Sequence, residues 1–183
     1  MLGEAFAQIL VAARAGSESA WAAIYRDLAP VVLGYLRGRG ARDAEDLTGE
    51  VFVQVVRDLH TFEGGEREFR AWVFVVAHHR LLDDVRRQTR RPVEAFLDVP
   101  TDEFRSDEGD DEALEYLAAD RARRLIEQLS PDQRHVLLLR IIGDLTVEEV
   151  ARVVGKSQGA VKALQRRGLD AIKRALSEEG VTL

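Results

Sequence analysis

Apolar residues recur at helical spacing through most of the chain. In residues 43–60, Leu47, Val51, Val55 and Leu59 share one face, with Phe52 and Val56 beside them. Intervals of three and four residues put side chains on one stripe of a 3.6-residue helix. The same reasoning predicts helices over 3–15, 19–38, 43–60, 68–90, 111–129, 131–142, 147–154 and 158–177. Apolar–polar alternation of period two runs nowhere far enough to predict a strand. The expected fold class is all-α.

The pattern lapses between Pro92 and Asp110, which hold two of the four prolines. A structureless segment of that length seldom lies inside one compact domain. Three parts are therefore expected: a helical domain over 1–91, an acidic flexible linker with the start of the next helix over 92–120, and a helix-turn-helix domain over 121–183. Fully extended, residues 92–110 reach roughly 60 Å. That would let the two domains sit one to two duplex turns apart, at about 34 Å per turn.

The C-terminal part carries the clearest local signals. Ser130-Pro131-Asp132-Gln133 reads as a capping box with proline at the first helical position. An apolar helix follows and ends near Gly143. Thr146-Val147-Glu148-Glu149 is a second capping box, opening a short helix with Val150, Ala151 and Val154 inward. Gly155 supplies a turn, and Ser157 caps a longer helix. Short helix, glycine turn and capped long helix are the parts of a DNA-reading helix-turn-helix. On the last helix Val161, Leu164, Gly168 and Ile172 share the packing face, and Lys162, Arg166 and Lys173 lie opposite. Ser157 and Gln158 stand at its N-terminus, where a recognition helix meets base edges and its dipole favours phosphate.

The N-terminal half is more ambiguous. Opposite the apolar face of 43–60 runs a stripe of Asp46, Glu50, Val53 and Arg57, which spacing alone reads as a solvated helix face. The helix from Phe69 begins apolar nearly all round, with Trp72 on that run and expected in the core. It ends basic, with Arg80, Asp84, Arg87 and Arg91 on one stripe and His79, Arg86 and Arg90 flanking. Those arginines suit phosphate contacts, and equally suit a surface helix end favoured by the dipole. The loop Thr61–Glu68, with Gly64-Gly65, is either a simple connection or a cradle for an unstacked base, with Phe62 at hand.

Net charge is −6, which at first opposes nucleic-acid binding. Its distribution removes the objection. Residues 1–91 balance to zero, 92–120 carry −10, and 121–183 carry +4. There is no cysteine, so disulfides, thiolate metal sites and cysteine nucleophiles are excluded. His79 and Asp83, four apart, lack a second ligand pair, and a surface pair is the expected reading. No phosphate loop or nucleophile elbow occurs. No catalytic residue, metal or cofactor is therefore expected. No signal peptide or membrane span is read, so the expected location is the cytoplasm.

Two sets of residues carry a family resemblance. Asp43-Ala44-Glu45-Asp46-Leu47-Thr48-Gly49-Glu50-Val51-Phe52, Phe69-Arg70-Ala71-Trp72-Val73 and Ala77-His78-His79-Arg80-Leu81-Leu82-Asp83 resemble region 2 of extracytoplasmic-function sigma factors, of the sigma-70 family. Leu129-Ser130-Pro131-Asp132-Gln133-Arg134 through Gly159-Ala160-Val161-Lys162 is similar to region 4. The resemblance implies a protein that binds core RNA polymerase and recognises −35 and melted −10 promoter DNA. It assigns Asp46, Glu50, Val53 and Arg57 to polymerase contact. It assigns Phe62, His79, Arg80, Arg86 and Arg87 to the −10 element, with Phe62–Glu68 as a base pocket. The −35 element falls to Ser157, Gln158, Lys162, Arg166 and Arg167. An anti-sigma factor is a further partner implied, with neither membrane insertion nor a small-molecule substrate. The chain departs from the family pattern at Gly49, His79 and Ala163-Leu164-Gln165. The alternative, read from the residues alone, is a two-domain helix-turn-helix regulator that acts without core polymerase.

Overall fold

A computed structural model describes residues 2–90 and 121–178. The expected linker over 92–120, the first part of the helix expected over 111–129, and Arg91 lie outside the described residues. Among the described residues the secondary structure is entirely helical. A 3-10 turn, Gly3–Ala5, leads into α1, Phe6–Arg14. Then come α2, Glu18–Gly38; α3, Ala44–Asp58; and α4, Glu66–Arg90. The C-terminal part holds α5 over 121–127, α6, Pro131–Ile141, α7, Val147–Val154, and α8, Gln158–Glu178.

Helices α1 to α4 form one bundle. Ser17 opens α2, its hydroxyl accepting from the amide of Ala20 at 3.4 Å. This satisfies one of the donors left free at a helix start. The periodic face of α3 packs as expected, with Leu47, Val51, Val55 and Leu59 all buried. Val56 does not join them. It is 51% exposed, beside Val53 at 59%. A position 100° round the helix from Val55 falls at the rim of the buried stripe. The first part of α4 is the central element, burying Phe69, Ala71, Val73, Phe74 and Ala77.

The C-terminal part folds as its caps dictate. Both capping boxes form. Gln133 N–H donates to Ser130 Oγ at 3.4 Å, and Ser130 N–H donates to Gln133 Oε1 at 3.1 Å. At α7 the pair is Glu149 N–H to Thr146 Oγ1 at 3.2 Å and Thr146 N–H to Glu149 Oε2 at 2.6 Å. Gly155 ends α7 in the left-handed region at φ 66°, which a Cβ would disfavour. Val161 and Leu164 bury the inner face of α8, and Gly168 lies against Leu137 of α6.

The two parts touch directly. Helix α4 packs on α7, and α2 packs on α6. Gly34 and Gly38, one helical turn apart on α2, lie against Ile142 and Leu138. A Cβ on Gly38 would come within 2.7 Å of Leu138 Cδ2. Missing side chains there let the two helices approach. The span available to the linker would have permitted separation; the described residues are in contact.

Candidate nucleic-acid interface

Helix α8 presents its N-terminus and outer face to solvent. Ser157 caps it, accepting from the amide of Ala160 at 3.2 Å. Ser157, Gln158, Lys162, Arg166 and Arg167 are all exposed. Lys162 and Arg166 are one turn apart, so both cations point the same way. The positive end of the helix dipole stands beside Ser157 and Gln158. Ala163 and Gln165 are half-buried, and Gln165 accepts from Arg140 Nε at 3.3 Å, tying α8 to α6. The departure from the family pattern thus falls partly on the flank that packs.

The stripe on α3 is exposed as a unit: Asp46, Glu50, Val53 and Arg57 all face solvent. Together with Val56 it sets two exposed valines among charges. Glu50 lies 3.5 Å from Arg87 of α4. Gly49 stands next to the stripe, and a Cβ there would meet open space.

The loop between α3 and α4 is well organised. Phe62 is buried, its ring against Phe69 and Trp72 at centroid distances of 5.2 and 5.3 Å. Its side chain packs inward, and its carbonyl accepts from Arg14. Gly64 has φ 142°, and a Cβ there would lie 2.9 Å from Glu68 Cβ, so the turn needs glycine. Glu68 Oε2 accepts from the amide of Gly65 at 3.0 Å. A groove of about 460 Å³ opens beside this loop, lined by Phe62, Glu68 and Trp72 on one side. Glu149, Arg152 and Val153 of α7 line the other.

On the basic end of α4, His79, Arg86 and Arg87 are exposed and Arg80 is half-buried. Arg80 donates to Gln54 of α3, and Arg86 lies 3.1 Å from Asp83. The Arg86–Asp83 pair faces solvent and is worth little in water. No group of three histidine, cysteine or carboxylate side chains among the described residues could hold a metal. No described helix is long and apolar enough to cross a membrane.

Residues that sequence reasoning did not single out join the two parts. Arg70 is buried and donates from Nε to the carbonyl of Gly143 at 2.6 Å. Arg67 lies 3.6 Å from Glu149. Tyr35, fully buried, shares its hydroxyl with Nε2 of His135 at 3.0 Å and Nδ1 of His78 at 3.4 Å. The two imidazoles face each other with centroids 4.6 Å apart, tilted by 36°. Burial, with the Arg39 cation beside them, pulls His135 down to about 3 and His78 down to about 4. Arg70 and His78 lie within segments that resemble region 2, yet no local pattern marks these contacts, because their partners lie far away in sequence.

A capped helix-turn-helix with an outward cationic face, docked on a second helical bundle, defines the class: an all-α DNA-binding protein. Comparison with known proteins narrows it. Sigma-70 region 2 matches residues 24–91, and Sigma-70, region 4 matches residues 119–172. The chain is 37% identical over 162 residues to the ECF RNA polymerase sigma factor ShbA of Streptomyces griseus, covering 82% of this chain and 83% of that one. It is 32% identical over 181 residues to the ECF RNA polymerase sigma factor BldN of Streptomyces coelicolor, covering 94% of this chain and 66% of BldN. Its fold is similar to that of the sigma factor RpoE from Bartonella quintana, solved with the anti-sigma factor NepR. The TM-score is 0.61 at 18% identity, over 84% of this chain and 94% of that one. The chain belongs to the extracytoplasmic-function sigma factors of the sigma-70 family, specificity subunits for transcription initiation by core RNA polymerase.

Proposed function

We propose that this chain joins core RNA polymerase in the cytoplasm and directs it to promoters through two separate DNA contacts. The exposed stripe of Asp46, Glu50, Val53 and Arg57 binds the polymerase. The loop Phe62–Glu68, with His79, Arg80, Arg86 and Arg87, receives the melted −10 element. The outer face of α8, with Ser157, Gln158, Lys162, Arg166 and Arg167, reads the −35 element. The functional parts are 1–91 and 121–183, with 92–120 as the tether. The observation that carries this reading is the exposure of the capped N-terminus and cations of α8 while its opposite face is packed. In this role the chain supplies recognition and no catalytic group.

An anti-sigma factor is the natural regulatory partner. The support is the relative RpoE, solved with NepR. Exposed apolar residues amid charge, such as Val53 and Val56, would suit a protein partner.

The test is run-off transcription with purified core polymerase on fragmented genomic DNA. Discrete transcripts that require this chain are expected, and their start sites report the promoter. Absence of any such transcript, with tight operator binding by the chain alone, would instead identify a regulator acting without polymerase.

A further inference from the structure

The contact between the two parts buries a cluster of groups that a merely structural interface would not need. Tyr35 comes from α2, His78 from α4 and His135 from α6. The charges acting on the two imidazoles are cationic: Arg39 on both, His79 beside His78, and Lys156 and the neighbouring imidazole on His135. The carboxylate nearby, Asp132, is held by Lys156 at 3.0 Å. Arg39 anchors by Nη1 to the carbonyl of Pro131 at 3.1 Å, while its buried Nε finds no hydrogen-bond partner. A proton added to either ring would therefore sit in a buried site beside cations.

The same contact has a functional consequence. Helix α7 lies along the groove beside Phe62, Glu68 and Trp72, held by Arg67 to Glu149 and by Arg70 to the carbonyl of Gly143. The outer face of α8 stays open. Docking thus sets α7 across a groove from the loop, whose Glu63, Gly64, Gly65 and Glu68 stay exposed, and fixes the recognition helix relative to it.

We propose that this docked arrangement is one of two states, docked and open, and that the facing pair His78–His135 is an acid-sensitive latch whose protonation releases α6 and α7 from the N-terminal bundle. The latch is a property of the chain alone; only what release accomplishes, independent movement of the two DNA-reading parts, rests on the function proposed above. The sign follows from linkage. In the docked state both rings are held neutral, well below their ordinary value. In the open state they meet water and titrate near 6.5. The open form then binds more protons, so docking is lost as pH falls below about 6.5. Each fully coupled ring shifts the open-to-docked ratio about tenfold between pH 7.5 and 5.5. His135 contributes most of that factor, and half-buried His78 a smaller share, giving roughly ten- to hundredfold together.

The absence of cysteine makes the test direct. Leu138→Cys places one thiol at a buried position against Gly38 at the contact. Its rate of reaction with a methanethiosulfonate reagent, relative to an unstructured peptide at the same pH, reports the open fraction. Protection is expected to fall about ten- to hundredfold from pH 7.5 to 5.5 with the circular-dichroism helix signal unchanged. In a chain that also carries His78→Gln and His135→Gln the dependence is expected to vanish. Should that chain lose helicity, His78→Gln alone keeps the test, with a smaller slope than the parent. A thiol unprotected at pH 7.5, protection that does not change with pH, or the full pH dependence surviving both glutamines would overturn the proposal. None of these outcomes depends on transcription, so its failure is separate from failure of sigma activity.

Discussion

The Tyr35 hydroxyl and Nε2 of His135 lie 3.0 Å apart across 100 residues of sequence. This hydrogen bond joins a helix of the N-terminal bundle to α6, the helix that precedes the helix-turn-helix motif. Both groups are buried; the hydroxyl also meets Nδ1 of His78, and it is the polar partner of His135 Nε2. Tyr35→Phe should leave the imidazole unsatisfied and weaken the contact by about 1–3 kcal/mol. The thiol at Leu138→Cys should then react about five- to hundredfold faster at neutral pH, at 1.4 kcal/mol per tenfold. Unchanged protection would mean the hydrogen bond contributes nothing to docking.

The recognition helix makes a separable prediction. Lys162→Ala and Arg166→Ala remove exposed side chains that make no internal contact the fold needs. Thermal stability should stay within about 0.5 kcal/mol. Promoter use should fall, by about 1–3 kcal/mol if the lost contact is to a base. If the contact is to phosphate, the salt slope of binding should shrink by about one. Run-off yield over a salt series distinguishes the two, and full activity in both variants would remove the face from DNA recognition.

The α3 stripe can be tested by charge reversal. Glu50 pairs with Arg87 at the surface, both side chains well exposed, so the pair contributes little to stability. Glu50→Lys should therefore melt within a few degrees of the parent. It should also compete poorly for core polymerase against a second sigma factor. Equal competition would take Glu50 out of the interface.

Two glycines should respond in opposite directions to the same substitution. Gly49 lies mid-helix in α3, with nothing within 4 Å of an added Cβ. Gly49→Ala should stabilise the chain by about 0.5–1 kcal/mol through helix propensity. On Gly168 a Cβ would come 2.8 Å from Leu137 Cδ1 in the helix-turn-helix core. Gly168→Ala should destabilise by about 1–3 kcal/mol through overpacking. Urea denaturation of both variants measures the difference, and a shared sign would contradict the packing described.

Most of the helices were legible in advance because their signals are local. Ser130 with Gln133, Thr146 with Glu149, and Gly155 each act within one turn of backbone. The exposure of Lys162 and Arg166, and of Asp46 and Glu50, follows from the same periodicity. Val56 lies beside the apolar face yet is exposed, because a position at the rim of a stripe is decided by what packs beside it. Phe62 shows the same limit: it was picked as an aromatic near a base loop, and its ring packs into a cluster with Phe69 and Trp72.

By itself the sequence determined the helices, their caps, the helix-turn-helix and the charge of each segment, since backbone hydrogen bonding and periodicity set these within a few residues. Only the tertiary structure decided that α2 meets α6 through Gly34 and Gly38, that Arg70 reaches Gly143, and that Tyr35, His78 and His135 form one buried cluster. Those contacts join residues far apart in sequence: 43 positions separate Tyr35 from His78, 73 separate Arg70 from Gly143 and 100 separate Tyr35 from His135. Their strength comes from shape and burial at the meeting surface, which no local pattern encodes.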